Sequence, residues 1–224
     1  MGRGKIIVIE GASDGVGKQT QCEKLQKYLE KNVGDVVKHG FPSYGTYQGK
    51  GVEEYLSGAY GEIKELSPYF INGLYAMDRA ITWNIKLKDV YNSGGIIVLD
   101  RYTTSSLIYQ SVFIEDEEEK KRFIDYVCDF EYEKLGIGKP DKVIFLCPSF
   151  EVATKLRLAR KGKEGISNDL HERDMAFMKK VYDNAVFVAK YLGWDFVMCD
   201  DGTNMRSIDD IHEEIINKVS KLSN

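Results

Sequence analysis

The chain has 224 residues and 43% hydrophobic content, enough to bury the core of one domain. Its formal net charge of −4 argues against broad binding to nucleic acid or to an anionic membrane surface. Cys22, Cys128, Cys147 and Cys199 are widely spaced, and the sequence holds neither a run of roughly 20 apolar residues nor a signal-peptide core, so reduced thiols in a soluble, cytoplasmic protein are expected.

The first apolar run, Lys5–Glu10, reads as a strand and leads into Gly11-Ala12-Ser13-Asp14-Gly15-Val16-Gly17-Lys18-Gln19-Thr20. A strand, a glycine-broken turn and a helical pattern set backbone N–H groups and one ammonium at a helix N-terminus, which suits polyphosphate. The turn departs twice from the pattern G-x-x-x-x-G-K-[ST]. Counting back from Gly17, the first glycine falls on Ala12, so a loop that starts at Gly11 is one residue longer. Gln19 also stands where a magnesium-ligating hydroxyl belongs, with Thr20 one place later. The extra residue lies upstream, at Ala12 or Ser13; it spares Gly15-Val16-Gly17-Lys18 and bears on Asp14.

A second strand, Asp35–His39, precedes Phe41-Pro42-Ser43-Tyr44-Gly45-Thr46, a turn stiffened by Phe-Pro, and Gly49 leads a helix with Val52, Tyr55 and Leu56. Ser67-Pro68 reads as an N-cap and first-turn proline opening a helix to about Tyr91. Its expected buried face is Phe70, Leu74, Met77, Ile81 and Ile85. Tyr75 and Arg79, four apart on the opposite face, offer a flat ring and a cation to one ligand. The third strand, Gly95–Asp100, delivers Asp100-Arg101-Tyr102 to its carboxyl end, where ligands lie in an open α/β sheet. There a carboxylate suits magnesium and a guanidinium forks onto phosphate. Ser105 with Tyr109, and Ser106 with Gln110, repeat the four-residue spacing on the next helix.

Glu115–Glu119 reads as a solvated loop leading into a helix. Strands follow at Lys142–Cys147 and Trp194–Cys199. Between them, Arg157 to Asn168 is basic and glycine-broken with little to bury, and is expected to be a mobile lid spanning about 157–170. Met175, Met178, Val181, Ala185, Ala189 and Leu192 mark a helix. Ser207 and Asp210 form a capping signal ahead of Ile208, Ile211, Ile215, Val219 and Leu222. The βα alternation predicts one domain over 1–224, a three-layer α/β/α sandwich on a five-stranded parallel sheet of the P-loop NTP hydrolase type.

These pieces, in this order, resemble the thymidylate kinase family over nearly the whole chain. The resemblance rests on I-V-I-E-G…D-G-x-G-K-x-T at Ile7–Thr20, F-P…T…G…Y-L at Phe41–Leu56, A-x-D-R at Ala76–Arg79, and D-R-Y-x-x-S-x-x-x-Y-Q at Asp100–Gln110. Pro140-Asp141 and His171-Glu172 add to it. It implies transfer of the ATP γ-phosphoryl group to dTMP, with Mg2+, in a homodimer. It also implies that Gly11, Gly15, Val16, Gly17, Lys18, Gln19, Thr20 and a lid cation hold ATP, and that Asp14 sits between the nucleotides near magnesium. Metal contacts are expected from Asp100, Thr20 and Asp14. Phe41 would line the acceptor pocket, Tyr75 would stack on thymine, and Arg79 would reach the base or the acceptor phosphate. Arg101 would bridge the two phosphates; Ser105, Ser106 and Gln110 would face the base, and Tyr109 would crowd the ribose 2′ position. Asp200 to Ser207 resembles a loop over adenine.

Two departures stand out. The P-loop carries no arginine, and the Asp-Arg pair expected before the lid glutamate is replaced by Asn168-Asp169-Leu170-His171-Glu172. Arg160 falls in the lid register and is the expected catalytic cation, with Arg157, Lys163 and Arg173 as substitutes. Two other functions stay open on the sequence: a deoxynucleoside kinase, against which Phe41 stands where a glutamate precedes proline, and a nucleotide-binding regulator that transfers no phosphate.

Overall fold

The computed structural model describes residues 3–164 and 175–220, apart from the side chains of residues 64, 158 and 160–164. Short runs of Ile, Val, Leu and Phe with no polar alternation form strands covered on both faces. They are β1 (Lys5–Gly11), β2 (Val36–Gly40), β3 (Ile96–Asp100), β4 (Lys142–Cys147) and β5 (Asp195–Met198). Their spatial order is β2-β3-β1-β4-β5, and every neighbouring pair is parallel. The register sets Ile9 and Gly40 on either side of Asp100, so the carboxyl ends of β1, β2 and β3 meet at one edge.

Alternate residues of the strands feed two layers. Ile7, Ile9, Val98, Ile144 and Leu146 pack with Cys22, Leu25 and Leu29 of α1 (Lys18–Asn32) and with Ile211, Ile215 and Val219 of α9 (Ile208–Val219). On the other face Ile6, Val8, Ile97 and Leu99 meet Trp83 and Leu87, while Phe145 and Cys147 meet α5 (Thr103–Tyr109), α6 (Glu117–Cys128) and α8 (Met175–Tyr191). The three layers follow the sequence pattern. Among the described residues no helix is long and apolar enough to cross a membrane, and all four cysteines are free.

The helix signals fall where the caps place them. Ser67 Oγ accepts from the Tyr69 N–H and opens α3 (Pro68–Thr82), which runs through a π-turn at Trp83–Leu87 into α4 (Lys88–Asn92). Ser207 Oγ accepts from the Asp210 N–H and opens α9, although Ile208 itself is exposed and Leu222 lies outside the described residues. Asp116 caps α6 by accepting from the Glu119 N–H at 2.7 Å. Glu117, Glu118 and Glu119 are therefore its first turn, where negative charge meets the helix dipole, and not part of a loop.

Two expectations need correction. The stripe on α3 and its continuation does not form the core: Phe70, Met77 and Ile85 are 46%, 41% and 62% exposed, while Asn72, Asp78, Arg79 and Thr82 are buried. The polar face turns inward because its groups find partners there, which removes the cost of burying them. The start of the expected lid loop is also helical. Residues 157–164 complete α7 (Phe150–Glu164), and Arg157 is buried. The rest of the expected lid, 165–170, lies outside the described residues.

Gly138 shows how tightly the layer beside β1 packs. A Cβ there would overlap Ile6 Cδ1 and stand 2.5 Å from Trp83 Cη2, both side chains being buried. Gly138→Ala is expected to destabilise the fold by about 1–3 kcal/mol, the usual cost of overpacking, read as a lower urea midpoint at unchanged m-value.

Candidate active site

The glycine-broken turn is built on the end of β1. Just past the strand, Ala12 donates its N–H to the Leu146 carbonyl of β4 at 3.0 Å, so the start of the longer turn stays tied to the sheet. Gly11 is required by crowding: a Cβ there would lie 2.7 Å from Val16 Cγ2. Gly15 and Gly17 are required by conformation, with φ of 79° and 98°. Gly17 begins α1 with no side-chain cap, which leaves the first-turn N–H groups directed at the turn. Lys18 folds back over it and donates from Nζ to the Ser13 carbonyl at 3.1 Å and to Asp14 Oδ1 at 3.4 Å. Gln19 and Thr20 are exposed on that first turn, and Gln19 Nε2 donates to Glu23 Oε1 at 3.0 Å.

Asp14 is where the turn meets β3. Its Oδ1 accepts from Arg101 Nη2 as well as from Lys18. Burial alone would raise its carboxyl pKa, but the adjacent Arg101 and Lys18 outweigh it and hold the group well below the usual range. Arg101 has φ 64°, the left-handed region that an arginine rarely adopts. Its Nη1 reaches Ser105 Oγ at 3.4 Å and stands 3.9 Å from Glu10 Oε1, and its guanidinium lies 5.4 Å from the centre of the Tyr109 ring. The Asp100 carboxylate, beside it, makes no hydrogen bond or ion pair with the described residues, although the backbone carbonyl of Asp100 accepts from the Phe41 N–H, and burial raises the carboxyl pKa against the pull of Lys18 and Arg101.

An open cleft enclosing about 630 Å³ lies against this edge. Asp14, Arg101, Ser105 and Tyr109 form one end; Phe41, Tyr75, Arg79, Ser106 and Gln110 form the other, joined by Pro42, Tyr44, Leu56 and Tyr102. All eight acceptor residues expected from the sequence therefore line one space. Tyr75 meets Tyr55 edge to face at 6.1 Å, and Phe41 tilts against Tyr102 at 5.7 Å. Gln110 is buried, and its Oε1 has no hydrogen-bond partner among the described residues. Ser105 is turned toward Glu10, to whose Oε2 it donates at 2.5 Å, so its hydroxyl serves the Arg101 end of the cleft. A smaller cavity of about 360 Å³, lined by Ala12, Ser13, Asp14, Tyr109, Arg157, Met178 and Val181, opens on the other side of Asp14.

Three carboxylates that the sequence left without a role complete the site. Glu10 is buried and accepts from the Gly11 N–H and from the Thr104 and Ser105 hydroxyls. Its signal is an acid closing an otherwise apolar strand. Asp78 Oδ2 accepts from the Ser43 N–H at 2.7 Å and pins the turn after β2 to α3. Glu131 is paired with Arg79 at 2.6 Å, both fully buried. It sits in the charged stretch from Asp125 to Lys134, where nothing local singles it out.

The side chains of Arg160 and Lys163, and all of His171, Glu172 and Arg173, lie outside the described residues. Asp200 Oδ2 accepts from the Ser149 N–H at 2.5 Å and Oδ1 from the Gly202 N–H, which shapes the loop from Asp200 to Ser207 at the end of β5. Among the described residues no group of three His, Cys, Asp or Glu side chains is placed to hold a metal ion. The donor set still suits magnesium, which takes one or two carboxylates and completes its shell with phosphate oxygen and water. Asp100 has its oxygens available, whereas Oδ1 of Asp14 is shared with two cations.

A helix N-terminus with a covering lysine, at the carboxyl edge of a parallel sheet and facing a nucleoside-sized cleft, defines a P-loop phosphotransferase of nucleotides. The family model for thymidylate kinase matches residues 9–215. The chain is 31% identical to a thymidylate kinase of Thermoanaerobacter sp. over 98% of both chains. It is 29% identical to that of Mycobacterium tuberculosis, over 78% of this chain and 81% of the relative, and 28% identical to that of Schizosaccharomyces pombe over 99% and 94%. A solved thymidylate kinase from Candida albicans shares the fold with a TM-score of 0.72 at 23% identity, over 99% of this chain and 93% of that one. The chain belongs to the thymidylate kinase family.

His39, under Phe41, carries a pH dependence. Its Nε2 contacts Ser43 Oγ at 3.0 Å and its Nδ1 contacts Lys86 Nζ at 3.1 Å. Burial, then Lys86, push its pKa down from 6.5 to about 4. The unfolded chain therefore takes up this proton first, and stability is full above pH 6.5 and lost as the pH falls toward 4. Urea midpoints are expected to drop between pH 7.5 and 5, and His39→Gln to flatten that drop.

Proposed function

We propose that the protein transfers the γ-phosphoryl group of ATP to the 5′-phosphate of dTMP, giving dTDP and ADP. The observation that carries this reading is Asp14, which lines both cavities and binds Lys18 on the donor side and Arg101 on the acceptor side. Two phosphate-binding cations thus converge on one point between two compartments. Phosphoryl transfer asks the protein mainly for alignment and for positive charge on the equatorial oxygens. Lys18 and Arg101 supply that charge, with Arg157 and Arg160 of α7 as the lid cations. Asp100 would hold magnesium, aided by Thr20, Asp14 and water, and the ion would neutralise phosphate charge. The acceptor is a phosphate monoester with a second pKa near 6, already anionic at neutral pH, and needs no general base.

Base choice follows from hydrogen-bond polarity. The open Gln110 Oε1 accepts from an imide N–H, and Arg79 donates to the adjacent ring carbonyl; thymine offers both, and cytosine reverses both, with a bare ring nitrogen and an amino group in their place. Tyr75 stacks on the ring and Phe41 closes the pocket, while Tyr109 crowds the sugar. The four free cysteines suit a reducing compartment, the cytoplasm. The apolar stripe Phe70, Met77 and Ile85, which the body of the protein does not cover, suits a homodimer.

ADP release is expected with dTMP, weakly with dUMP, and neither with thymidine nor without acceptor. Turnover of thymidine but not dTMP would identify a nucleoside kinase, and ATP binding without turnover a regulator. Arg101→Ala is expected to lower kcat at least about 100-fold, close to 2.7 kcal/mol; survival within threefold refutes the assignment. Met77→Glu is expected to convert a dimer into a monomer by light scattering, and a wild-type chain that runs as a monomer contradicts the dimer.

A further inference from the structure

Arg79 is 1% exposed, yet it lines the cleft. Its five N–H groups can be followed one by one. Nε donates to Glu131 Oε2 at 2.6 Å, and Nη2 donates to Glu131 Oε1 at 2.6 Å and to Ser106 Oγ at 2.8 Å, with Asn72 Oδ1 at 3.4 Å. Only Nη1 is left, and among the described residues its one hydrogen-bond contact is the Tyr102 carbonyl at 3.4 Å. The carboxylate has thus taken one whole edge of the guanidinium in a bidentate fork, and the remaining edge faces the ligand space.

Glu131 is itself locked. It is fully buried in a π-turn (Asp129–Lys134) that follows α6, and Thr103 Oγ1 donates to its Oε2 at 2.8 Å. Thr103 opens α5, the helix that carries Ser106 into the cleft and is capped at its C-terminus by Gln110. One carboxylate therefore ties the cation on α3 to α5 and the polar side chains at Ser106 and Gln110, although it does not line the cleft itself. It also matches the charge of Arg79, so the cleft meets a neutral pair at this end and an arginine shared with Asp14 at the other.

We infer that Glu131 is a positioning residue for base recognition: by taking the Nε and Nη2 edge of Arg79 it presents a single, fixed Nη1 donor to the base carbonyl that cytosine replaces with an amino group. Arg79 is thereby assigned to the base, and the acceptor phosphate is left to Arg101. This rests on the reading that the cleft takes dTMP.

The test is Glu131→Gln, which keeps the shape but removes the charge and turns one acceptor into a donor facing Arg79. The KM for dTMP is expected to rise at least tenfold and the preference for dTMP over dCMP to fall at least tenfold. The KM for ATP and kcat at saturating dTMP should stay within threefold. A residue that served only stability would lower the melting temperature and leave the dTMP KM and the dTMP:dCMP ratio within twofold, and that result overturns the inference. Thr103→Val, which keeps the ion pair and removes the hydroxyl that orients it, should move the same two quantities in the same direction by three- to fivefold. It decides the matter in the same way if Glu131→Gln does not fold. Wild-type enzyme that fails to turn over dTMP removes the functional reading and this one with it, whereas wild-type turnover with unchanged variants removes this one alone.

Discussion

Two guanidinium groups and an ammonium are taken out of bulk water under one cleft, and the arrangement of the site follows from how each is matched. A buried charge is tolerated only when it is paired and hydrogen-bonded, and removing one partner of such a pair typically costs about 3–5 kcal/mol. Arg79 is matched by Glu131 from beyond α6, and Arg101 and Lys18 share Asp14 of the turn after β1. The Arg79–Glu131 and Arg101–Asp14 pairings join elements distant in the chain, while Lys18 meets Asp14 from four residues along. The same contacts that neutralise the cations therefore hold α3, α5 and the P-loop in fixed relation, and the cleft takes its shape from this matching of charge.

The two ends of the cleft differ in consequence. At one, Arg101 is held in left-handed backbone conformation, a strain of order 1–3 kcal/mol that persists because Asp14, Ser105 and Glu10 surround its side chain. Arg101 lines the larger cavity beside Asp14, which borders both cavities. At the other, Arg79 forms a closed neutral pair beside the unpartnered carbonyl of Gln110. That end offers a ligand hydrogen-bond polarity and not net charge. On the proposed function, phosphate and base would be distinguished by how completely each arginine is already satisfied by the protein.

Much of this was legible in the chain. The five bare apolar runs became the five strands, and the residues expected at the acceptor site, from Phe41 to Gln110, all line one cleft. These are local signals: strand composition, glycine spacing, and side chains four apart on a helix. The failures share a cause. The stripe Phe70, Met77 and Ile85 has the spacing of a buried face, but hydrophobic periodicity cannot tell a face that packs on the body from one left outside. Residues 157–164 are basic and read as a loop, yet they complete a helix whose Arg157 is buried, because a long charged side chain can be covered where the fold supplies a pocket.

The sequence by itself determined the layers, the phosphate-binding turn and the set of side chains at the carboxyl edge of the sheet, since each is encoded within a strand, a turn or one helix face. Only the tertiary structure decided which face of α3 is inside, that the longer P-loop is tied to β4 at Ala12, and which carboxylate holds which cation. Glu131 lies 52 residues from Arg79 in the chain and in contact with it in space. A pairing of that kind is chosen by the cost of leaving a buried charge unmatched, and no local pattern records it.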